Sequence, residues 1–186
     1  RDRNLSSYAT GAVTVSWDQW VSSLSDLFSD SCTNFNNWNN GSAWSVYNYN
    51  RFRGHYSSGG DTARLLTLKN SQNLSSYPAG TVTVSWDQWV SGTPGDGDGL
   101  DFAFSADGGT TWSSNFQAFR GNIGSSAVNF SYTIPSQYLT ASFKMRFYLV
   151  GFGGSGQYCN LDNIKITPSY SGADGLDFAF SADGGN

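Results

Sequence analysis

The stretch TVTVSWDQWVSGTPGDGDGLDFAFSADGGTTW, residues 81–112, decides the fold of this chain. Within it, residues 81–90 and residues 100–105 each alternate apolar with polar side chains. That alternation is the period of a β-strand that buries one of its faces. The polar, glycine-rich segment SGTPGDGDG between them, residues 91–99, is typical of a turn. We therefore predict that the two strands form a β-hairpin.

The composition extends the β prediction to the whole chain of 186 residues. All 14 acidic residues are Asp, and the strong helix formers Glu, Lys and Met are rare or absent, whereas the chain contains 7 Trp, 10 Tyr and 13 Phe. A formal net charge of −4 excludes nucleic acid as the main partner, because phosphates require a basic surface. No apolar run reaches the roughly 18 residues of a membrane span. We predict an all-β protein that is extracellular or lies at the cell surface.

Both ends of the chain repeat parts of the decisive stretch. Residues 4–22 match residues 73–91 at 16 of 19 positions, and residues 174–185 match residues 98–109 at all twelve. Each end therefore carries a second copy of one strand of the predicted hairpin. The predicted organisation is an N-terminal donor-type strand (1–23), a β-sandwich module (24–170) and a C-terminal strand (171–186).

The two terminal copies suggest self-assembly, which is our first functional hypothesis. They can pair with each other within one chain, pair head to tail between chains, or be remnants of a duplication. Pairing between chains, in the register of the parent hairpin, would make the protein a structural subunit of a homo-oligomer or homopolymer such as a filament, sheath or surface layer. The residues that would form this contact are Val13, Val15, Trp17, Trp20, Leu176, Phe178 and Phe180.

The central module contains about eight predicted strands at short, turn-rich spacing, which favours a two-sheet sandwich. These strands are 43–48, 62–68, 81–90, 99–105, 115–119, 127–134, 142–150 and 158–166.

Four segments surround the decisive stretch: LFSDSCTNFNNWNNGSAW (27–44), HYSSGGDTARLL (55–66), FKMRFYLVG (143–151) and YCNLDNIKI (158–166). In this order they resemble the MAM-like, adhesin-type jelly-roll modules of secreted and surface proteins. The resemblance implies a jelly-roll β-sandwich, here with additional terminal strands, and a non-catalytic role in adhesion or recognition.

A second resemblance is local. The segment SADGGTTW, from Ser105 to Trp112, resembles the Asp-box turn of sialidase-type propellers, where the motif is structural. Asp107 can accept backbone N–H groups across this turn, and Gly108 and Gly109 can adopt positive φ. We interpret the segment as one stabilised hairpin turn.

Side chains that support catalysis are scarce. The one His, His55, lies in a predicted turn, and no GxSxG motif occurs. A GxGxxG string at residues 151–156 lies between two predicted strands, whereas dinucleotide binding requires a strand and then a helix. We predict that the protein is not an enzyme.

We predict that Cys32 and Cys159 lie in the first and last strands of the module, which are commonly neighbours in a jelly roll. We predict a disulfide between them, the alternative being two buried free thiols. Calcium is the predicted cofactor, because Asp30 and Asp162 lie next to the two cysteines and hard cations prefer oxygen ligands. The resemblance to jelly-roll modules implies the same, since such modules often hold structural calcium near these positions. Sequons that fit a secreted glycoprotein occur at Asn4, Asn40, Asn73 and Asn129.

Carbohydrate binding, with a glycan as the partner, is the second functional hypothesis. Tyr47, Tyr49, Arg51 and Phe52, in SVYNYNRFRGHY, form a predicted aromatic rim with a cationic group. Trp89 falls on the polar face of its strand and offers a platform on which a sugar can stack. The terminal copy, Trp20, has the same place in its own segment. The tryptophans that we assign to the core are Trp38, Trp44, Trp86 and Trp112.

Overall fold

The computed structural model describes residues 25–169. The predicted assembly residues at both ends, the Trp20 platform and the sequon at Asn4 therefore lie outside the described part of the chain.

Residues 25–169 form eleven β-strands and two short 3₁₀ turns, Asp61–Arg64 and Ser136–Tyr138. The strands are β1 (Phe28–Asp30), β2 (Trp38–Asn40), β3 (Trp44–Val46), β4 (Phe52–Gly54), β5 (Leu65–Leu68), β6 (Val82–Ser91), β7 (Gly99–Ser105), β8 (Phe116–Arg120), β9 (Val128–Thr133), β10 (Lys144–Val150) and β11 (Tyr158–Pro168). Within this range no helix has the length and apolar character that crossing a membrane requires.

The strands form two antiparallel sheets that pack face to face. One sheet has six strands, in the order β3-β4-β11-β6-β9, with β1 also paired to β11. The other has five, in the order β2-β5-β10-β7-β8. The predicted all-β jelly-roll sandwich is confirmed. The sequence missed β1, β2 and β4, each of three residues, whereas the equally short β3 lies within the predicted strand 43–48.

The predicted hairpin of residues 81–90 with residues 100–105 is wrong. β6 lies between β11 and β9 in the six-stranded sheet, whereas β7 lies between β10 and β8 in the five-stranded sheet. The apolar faces of the two strands meet across the sandwich, where the Trp86 and Phe102 ring centroids are 5.3 Å apart. Alternation indicates one buried face per strand, but it does not distinguish edge-to-edge pairing from face-to-face packing.

The connection from β6 to β7 crosses between the sheets and is anchored by Asp98. The Asp98 Oδ2 accepts a hydrogen bond from Gly95 N, and its Oδ1 accepts one from Phe152 N, both at 2.8 Å. Gly92 enters the connection with a φ of +78°, and a Cβ at this position would collide with the carbonyl oxygen of Gly156. These constraints make the glycine-rich segment a bridge between sheets.

The self-assembly hypothesis assumed that the terminal copies pair in the register of a hairpin formed by β6 and β7, and this crossover removes that assumption. The terminal copies repeat the sequences of β6 and β7, which lie in different sheets. Within residues 25–169, β6 and β7 therefore provide no hairpin register that the copies could adopt.

Trp86 lies at the centre of the core. Its ring is fully buried and packs edge to face against Phe102 and Phe147, with the Phe130 centroid 4.5 Å away. Its indole N–H donates to the Oε1 of Gln88 at 2.9 Å, which satisfies a polar group that water cannot reach. One strand, β6, therefore supplies both the central ring and its hydrogen-bond acceptor.

Trp38 and Trp44 are also buried, as predicted. Trp112 is not in the core. It is partly exposed on the outer face of the five-stranded sheet, where the Arg146 guanidinium lies 4.5 Å from its ring centroid. Its indole N–H donates to the Gly109 carbonyl, so the ring covers the turn that precedes it.

That turn is held by the Asp107 carboxylate. The Thr111 hydroxyl donates to Asp107 Oδ2 at 2.6 Å, the Thr111 N–H donates to Oδ1 at 2.9 Å, and the Ser105 hydroxyl donates to Oδ1 at 2.8 Å. Gly108 and Gly109 have φ of +75° and +97°. These hydrogen bonds, led by that of the Thr111 hydroxyl, favour the ionised carboxylate and lower the pKa of Asp107 to about 2.

From the packing of the core we predict that alanine substitution of two tryptophans of β6 lowers the free energy of unfolding by very different amounts. We expect Trp86→Ala to lower the free energy of unfolding by about 3–5 kcal/mol, since it leaves a cavity between the sheets. Trp89→Ala, on the outer face of β6, should cost about 1 kcal/mol or less. Urea unfolding followed by far-UV circular dichroism measures both values. Equal losses would contradict the assignment of the two faces.

The Asp107 turn predicts a loss of stability in acid. Because the folded pKa of Asp107, about 2, lies below its ordinary value of 3.8, its stabilisation is fully present above about pH 4 and is lost as the pH falls toward 2. Asp107→Asn should remove this part of the pH dependence of Tm. The control is Asp96→Asn, at an exposed loop position. If the Tm of the wild type and the Tm of Asp107→Asn fall in parallel from pH 5 to pH 2, the prediction is wrong.

Candidate functional site

The outer face of the six-stranded sheet carries a cluster of rings and guanidinium groups. We name it the arginine–aromatic face and define it by Tyr47, Arg51, Arg53, Trp89 and Tyr158. Tyr47 directly follows β3, Arg51 precedes β4, and the other three lie on β4, β6 and β11. The register places Arg53 opposite Asn160 and Asn160 opposite Trp89, so the groups form a row across three adjacent strands.

Tyr47 and Trp89 both contact Arg51. The Arg51 Cζ lies 4.6 Å from the Tyr47 ring centroid and 5.5 Å from the Trp89 ring centroid. The sequence predicted these three residues as part of a rim, and the structure brings them together. Phe52, predicted for the same rim, is fully buried, because β4 alternates and directs it into the core between Arg51 and Arg53.

Arg53 lies between two tyrosine rings. Its Cζ is 3.4 Å from the Tyr47 centroid on the β3 side and 4.2 Å from the Tyr158 centroid on the β11 side. Neither Arg51 nor Arg53 forms an ion pair with any residue of 25–169. The Nε of each is buried without a hydrogen-bond partner within that range. Both residues are nevertheless partly exposed, and their terminal nitrogens are not among these buried, unpartnered atoms.

Tyr49 lies at the tip of the β3–β4 hairpin. Its side chain is 85% exposed, and both Asn48 and Tyr49 have positive φ, +50° and +56°. The Asn50 N–H donates to the Tyr47 carbonyl and closes a turn whose two central residues have the backbone of a type I′ turn. Glycine or asparagine fits the second central position better than tyrosine does. The turn thus presents a large ring to solvent at a small local cost in backbone energy.

A row of polar groups borders the arginine–aromatic face. Asp162 on β11 lies opposite Asp87 on β6, and Asp87 lies opposite Asn129 on β9. The Asp87 carboxylate accepts hydrogen bonds from Asn129 Nδ2 at 3.1 Å and from Asn163 Nδ2 at 2.8 Å. Burial, with the nearby Asp87 and Asp30 carboxylates, raises the pKa of Asp162, while Arg51 opposes the shift.

A β-bulge in β11 produces this row. The register with β6 shifts by one residue between Asp162 and Lys165, and Asn163 in the bulge has φ +50°. The extra residue changes the parity of the strand, so that Leu161 and Ile164 both point into the core. The sequence YCNLDNIKI shows the same break in its alternation, with apolar residues at odd and then at even positions.

Asn160 lies beneath the face. It is fully buried, and its Nδ2 donates to the Ser91 hydroxyl at 3.0 Å and to the Trp89 carbonyl at 3.4 Å. Its position between Arg53 and Trp89 means that these longer side chains cover it. The sequence pattern did not indicate Arg53, Tyr158 or Asn160 as site residues. Alternation would place all three on polar strand faces, but only the pairing of β4 with β11 shows that they are neighbours.

The outer face of the five-stranded sheet also holds arginines and rings, but it is covered at β7, the strand next to the central β10. The outward residues of β7 are Asp101, Ala103 and Ser105, and all three are buried. Asp101 forms an ion pair with Arg120 at 2.6 Å, and Ser105 belongs to the Asp107 turn. By contrast, every outward residue of β6 is partly exposed. The outward residues of β10 are also partly exposed, so the outer faces of the two sheets differ at β7 and not over their whole area.

The predicted disulfide is not present in the structure, where Cys32 and Cys159 are free thiols with fully buried side chains. Cys32 lies against the backbone of Phe52 and Ile164, whereas Cys159 pairs with Gly54. Cys32 follows β1 and does not lie in a strand. Phe52 pairs with Leu161, which is two residues, or ~7 Å, along β11 from Cys159. Burial raises the pKa of both thiols.

Asp30 and Asp162, the predicted calcium ligands, lie on paired strands, and their charges are close enough to interact. Both oxygens of Asp30 already accept hydrogen bonds, from Cys32 N at 2.7 Å, Asn37 Nδ2 at 2.8 Å and Trp38 Nε1 at 3.1 Å. Across residues 25–169 no group of three or more His, Cys or Asp side chains is arranged to hold a metal ion. Calcium binding stays a prediction, to be checked by comparing Tm with calcium and with a chelator.

The predicted sequons within the described range are on the surface. Asn40, Asn73 and Asn129 are all exposed. The Asn73 Oδ1 accepts hydrogen bonds from the amide and hydroxyl of Ser75, and the Asn129 Nδ2 is engaged with Asp87. Glycosylation of these residues stays a prediction.

No protein-family model matches the chain, and no curated protein matches it in sequence. The MAM-like family therefore stays a resemblance, of which the β-sandwich fold is the confirmed part.

Solved structures of similar topology include three carbohydrate-binding modules. A module of Cellvibrio mixtus lichenase 5A, in complex with cellotriose, is 12% identical, covers 78% of this chain and 100% of its own, and has a TM-score of 0.42. The xylan-binding domain CBM22-1 from Paenibacillus barcinonensis is 13% identical over 80% of this chain and 97% of its own, with a TM-score of 0.41. CBM27-1 from Caldicellulosiruptor saccharolyticus, in complex with mannohexaose, is 12% identical over 79% and 91%, also with a TM-score of 0.41. These values assign neither a family nor a ligand to this chain.

Because both thiols are buried, we predict that they react slowly with thiol reagents in the native protein. We expect a thiol reagent such as dithionitrobenzoate to leave both cysteines of the native protein unmodified and to titrate two thiols after unfolding in guanidinium, because burial disfavours the reactive thiolate. Intact mass with and without reductant provides the control. A non-reduced mass two daltons lower would show that the disulfide forms after all.

Proposed function

We propose that the protein is a non-catalytic carbohydrate-binding module that works outside the cell and binds a glycan on the arginine–aromatic face. The observation that carries this proposal is the open face of β6, where Trp89 is flanked by stacked arginines and tyrosines. Aromatic rings offer apolar surface to the C–H groups of a sugar, and their arrangement fixes its orientation. The bordering Asp87, Asn129 and Asp162 supply acceptors and donors for hydroxyl groups.

The shape of the site also supports binding of a chain. The row from Arg53 to Trp89 crosses β4, β11 and β6, two strand spacings or about 10 Å. The exposed Tyr49 ring lies at the hairpin tip that borders the same face. A surface of this length, open along the row, suits an extended oligosaccharide better than a single small molecule enclosed in a pocket. No catalytic step is part of the proposal.

Affinity gel electrophoresis of the full chain against a panel of soluble plant, algal and bacterial polysaccharides tests the proposal. We expect retardation by at least one polysaccharide. Trp89→Ala should weaken that binding by at least about tenfold, as expected for an aromatic side chain that the bound ligand buries. The matched control is Trp112→Ala, which removes a partly exposed, arginine-stacked tryptophan from the opposite outer face. Its binding should equal that of the wild type.

Circular dichroism and Tm of both variants establish that each is folded. No retardation by any polysaccharide would overturn the proposal. A loss of binding in Trp112→Ala with none in Trp89→Ala would overturn the location. Tyr49→Gly provides a further check, since it should weaken binding without lowering Tm, because glycine adopts positive φ at no steric cost.

A further inference from the structure

The guanidinium of Arg53 has the features of an oxyanion receptor. Its Cζ lies over the Tyr47 ring and over the Tyr158 ring, 3.4 and 4.2 Å from the two centroids, so the rings shield it on two sides and leave its remaining edge to a ligand. Its Nε is buried, whereas the residue as a whole is partly exposed and its terminal nitrogens are not among the buried, unpartnered atoms. Those two nitrogens present parallel N–H groups that match the two coplanar oxygens of a carboxylate.

No carboxylate of the described residues neutralises this group. The two ion pairs within residues 25–169 involve Arg120 and Lys165, neither on this row. The Arg53 row continues through Asn160 and Trp89, with Ser45 on the other side, and contains no acidic residue. The acids of the face, Asp87 and Asp162, occupy the neighbouring row, where Asp162 interacts with Arg51.

We infer that the glycan is acidic and that Arg53 binds the carboxylate of a uronic acid residue. This inference rests on the proposed function and adds the ligand class to it. A neutral sugar would leave the stacked guanidinium without its charge partner, whereas a uronate supplies one in the plane that the tyrosines leave open. Trp89 lies two strands away, so a neighbouring residue of the same glycan can stack on its ring while the carboxylate binds Arg53. The stacking holds the guanidinium in one orientation, which lowers the entropic cost of binding.

The test compares polymers of galacturonate, glucuronate, mannuronate and guluronate, each with the same polymer after its carboxyl groups are reduced to alcohols. Isothermal titration calorimetry of the full chain at low salt should show at least about tenfold tighter binding of one uronate polymer than of its reduced form. That advantage should shrink as the ionic strength is raised from 20 to 500 mM, since salt screens exposed charges.

Variants assign the effect to Arg53. Arg53→Gln should bind the uronate polymer no better than its reduced form, and Arg53→Lys should restore only part of the difference, because lysine keeps the charge but loses the planar fork. The control is Arg146→Gln, which removes a ring-stacked arginine with a buried, unpartnered Nε from the opposite face and should change nothing.

Each outcome separates the inference from the proposed function. Equal binding of a uronate polymer and its reduced form would overturn the acidic ligand and leave glycan binding standing. Preferential binding of sulfated polysaccharides, with uronates no better than neutral polymers, would overturn the carboxylate assignment. A uronate preference that survives Arg53→Gln would overturn the role of Arg53. Absence of binding to every neutral and acidic polymer would overturn both proposals.

Discussion

The packing of Trp86 between the two sheets is the constraint on which the rest of the structure depends. Its ring fills the space between Phe102, Phe130 and Phe147, which come from three other strands and from both sheets. Once Trp86 points inward, the two-residue period of β6 directs Asp87 and Trp89 outward. The core and the candidate site thus lie on the two sides of one strand. A shift in the register of β6 would displace the residues of both.

Both outer faces of the sandwich carry arginines stacked on aromatic rings, but the surroundings of these arginines differ. Both stack arginines on aromatic rings, a contact that is favourable and keeps long side chains in one conformation. On the five-stranded sheet the outward residues of β7 are buried, and Arg120 is paired with Asp101. On the six-stranded sheet the outward residues of β6 are partly exposed, and Arg51 and Arg53 form no ion pair with any residue of 25–169. The difference lies in what surrounds the arginines, not in how many there are.

The bulge in β11 connects the core to the site. Without the extra residue Asn163, the strand could not keep Leu161 and Ile164 inside while Asp162 and Lys165 face outward. The bulge also places the Asn163 amide against the Asp87 carboxylate. A local irregularity that serves the packing therefore also fixes a hydrogen-bonding group at the border of the arginine–aromatic face.

The amino-acid pattern was sufficient to predict the class of fold and most of the strands. Alternation in β6 and β7 identified the side of each strand that turns to the core, and it correctly separated Trp86 from Trp89. The bulge was visible as a break in the period of YCNLDNIKI. The chemistry of the Asp107 turn was local enough to follow from SADGGTTW, since all its donors lie within four residues.

Only the tertiary structure decided which strands are neighbours. Period-two patterning is the same for strands that pair within a sheet and for strands that face each other across a core, so the expected hairpin of β6 with β7 was wrong. For the same reason the sequence proposed Tyr47, Arg51 and Trp89 but not Arg53 and Tyr158. The cluster exists because β4, β11 and β6 are adjacent, and adjacency depends on long-range packing that no single segment encodes.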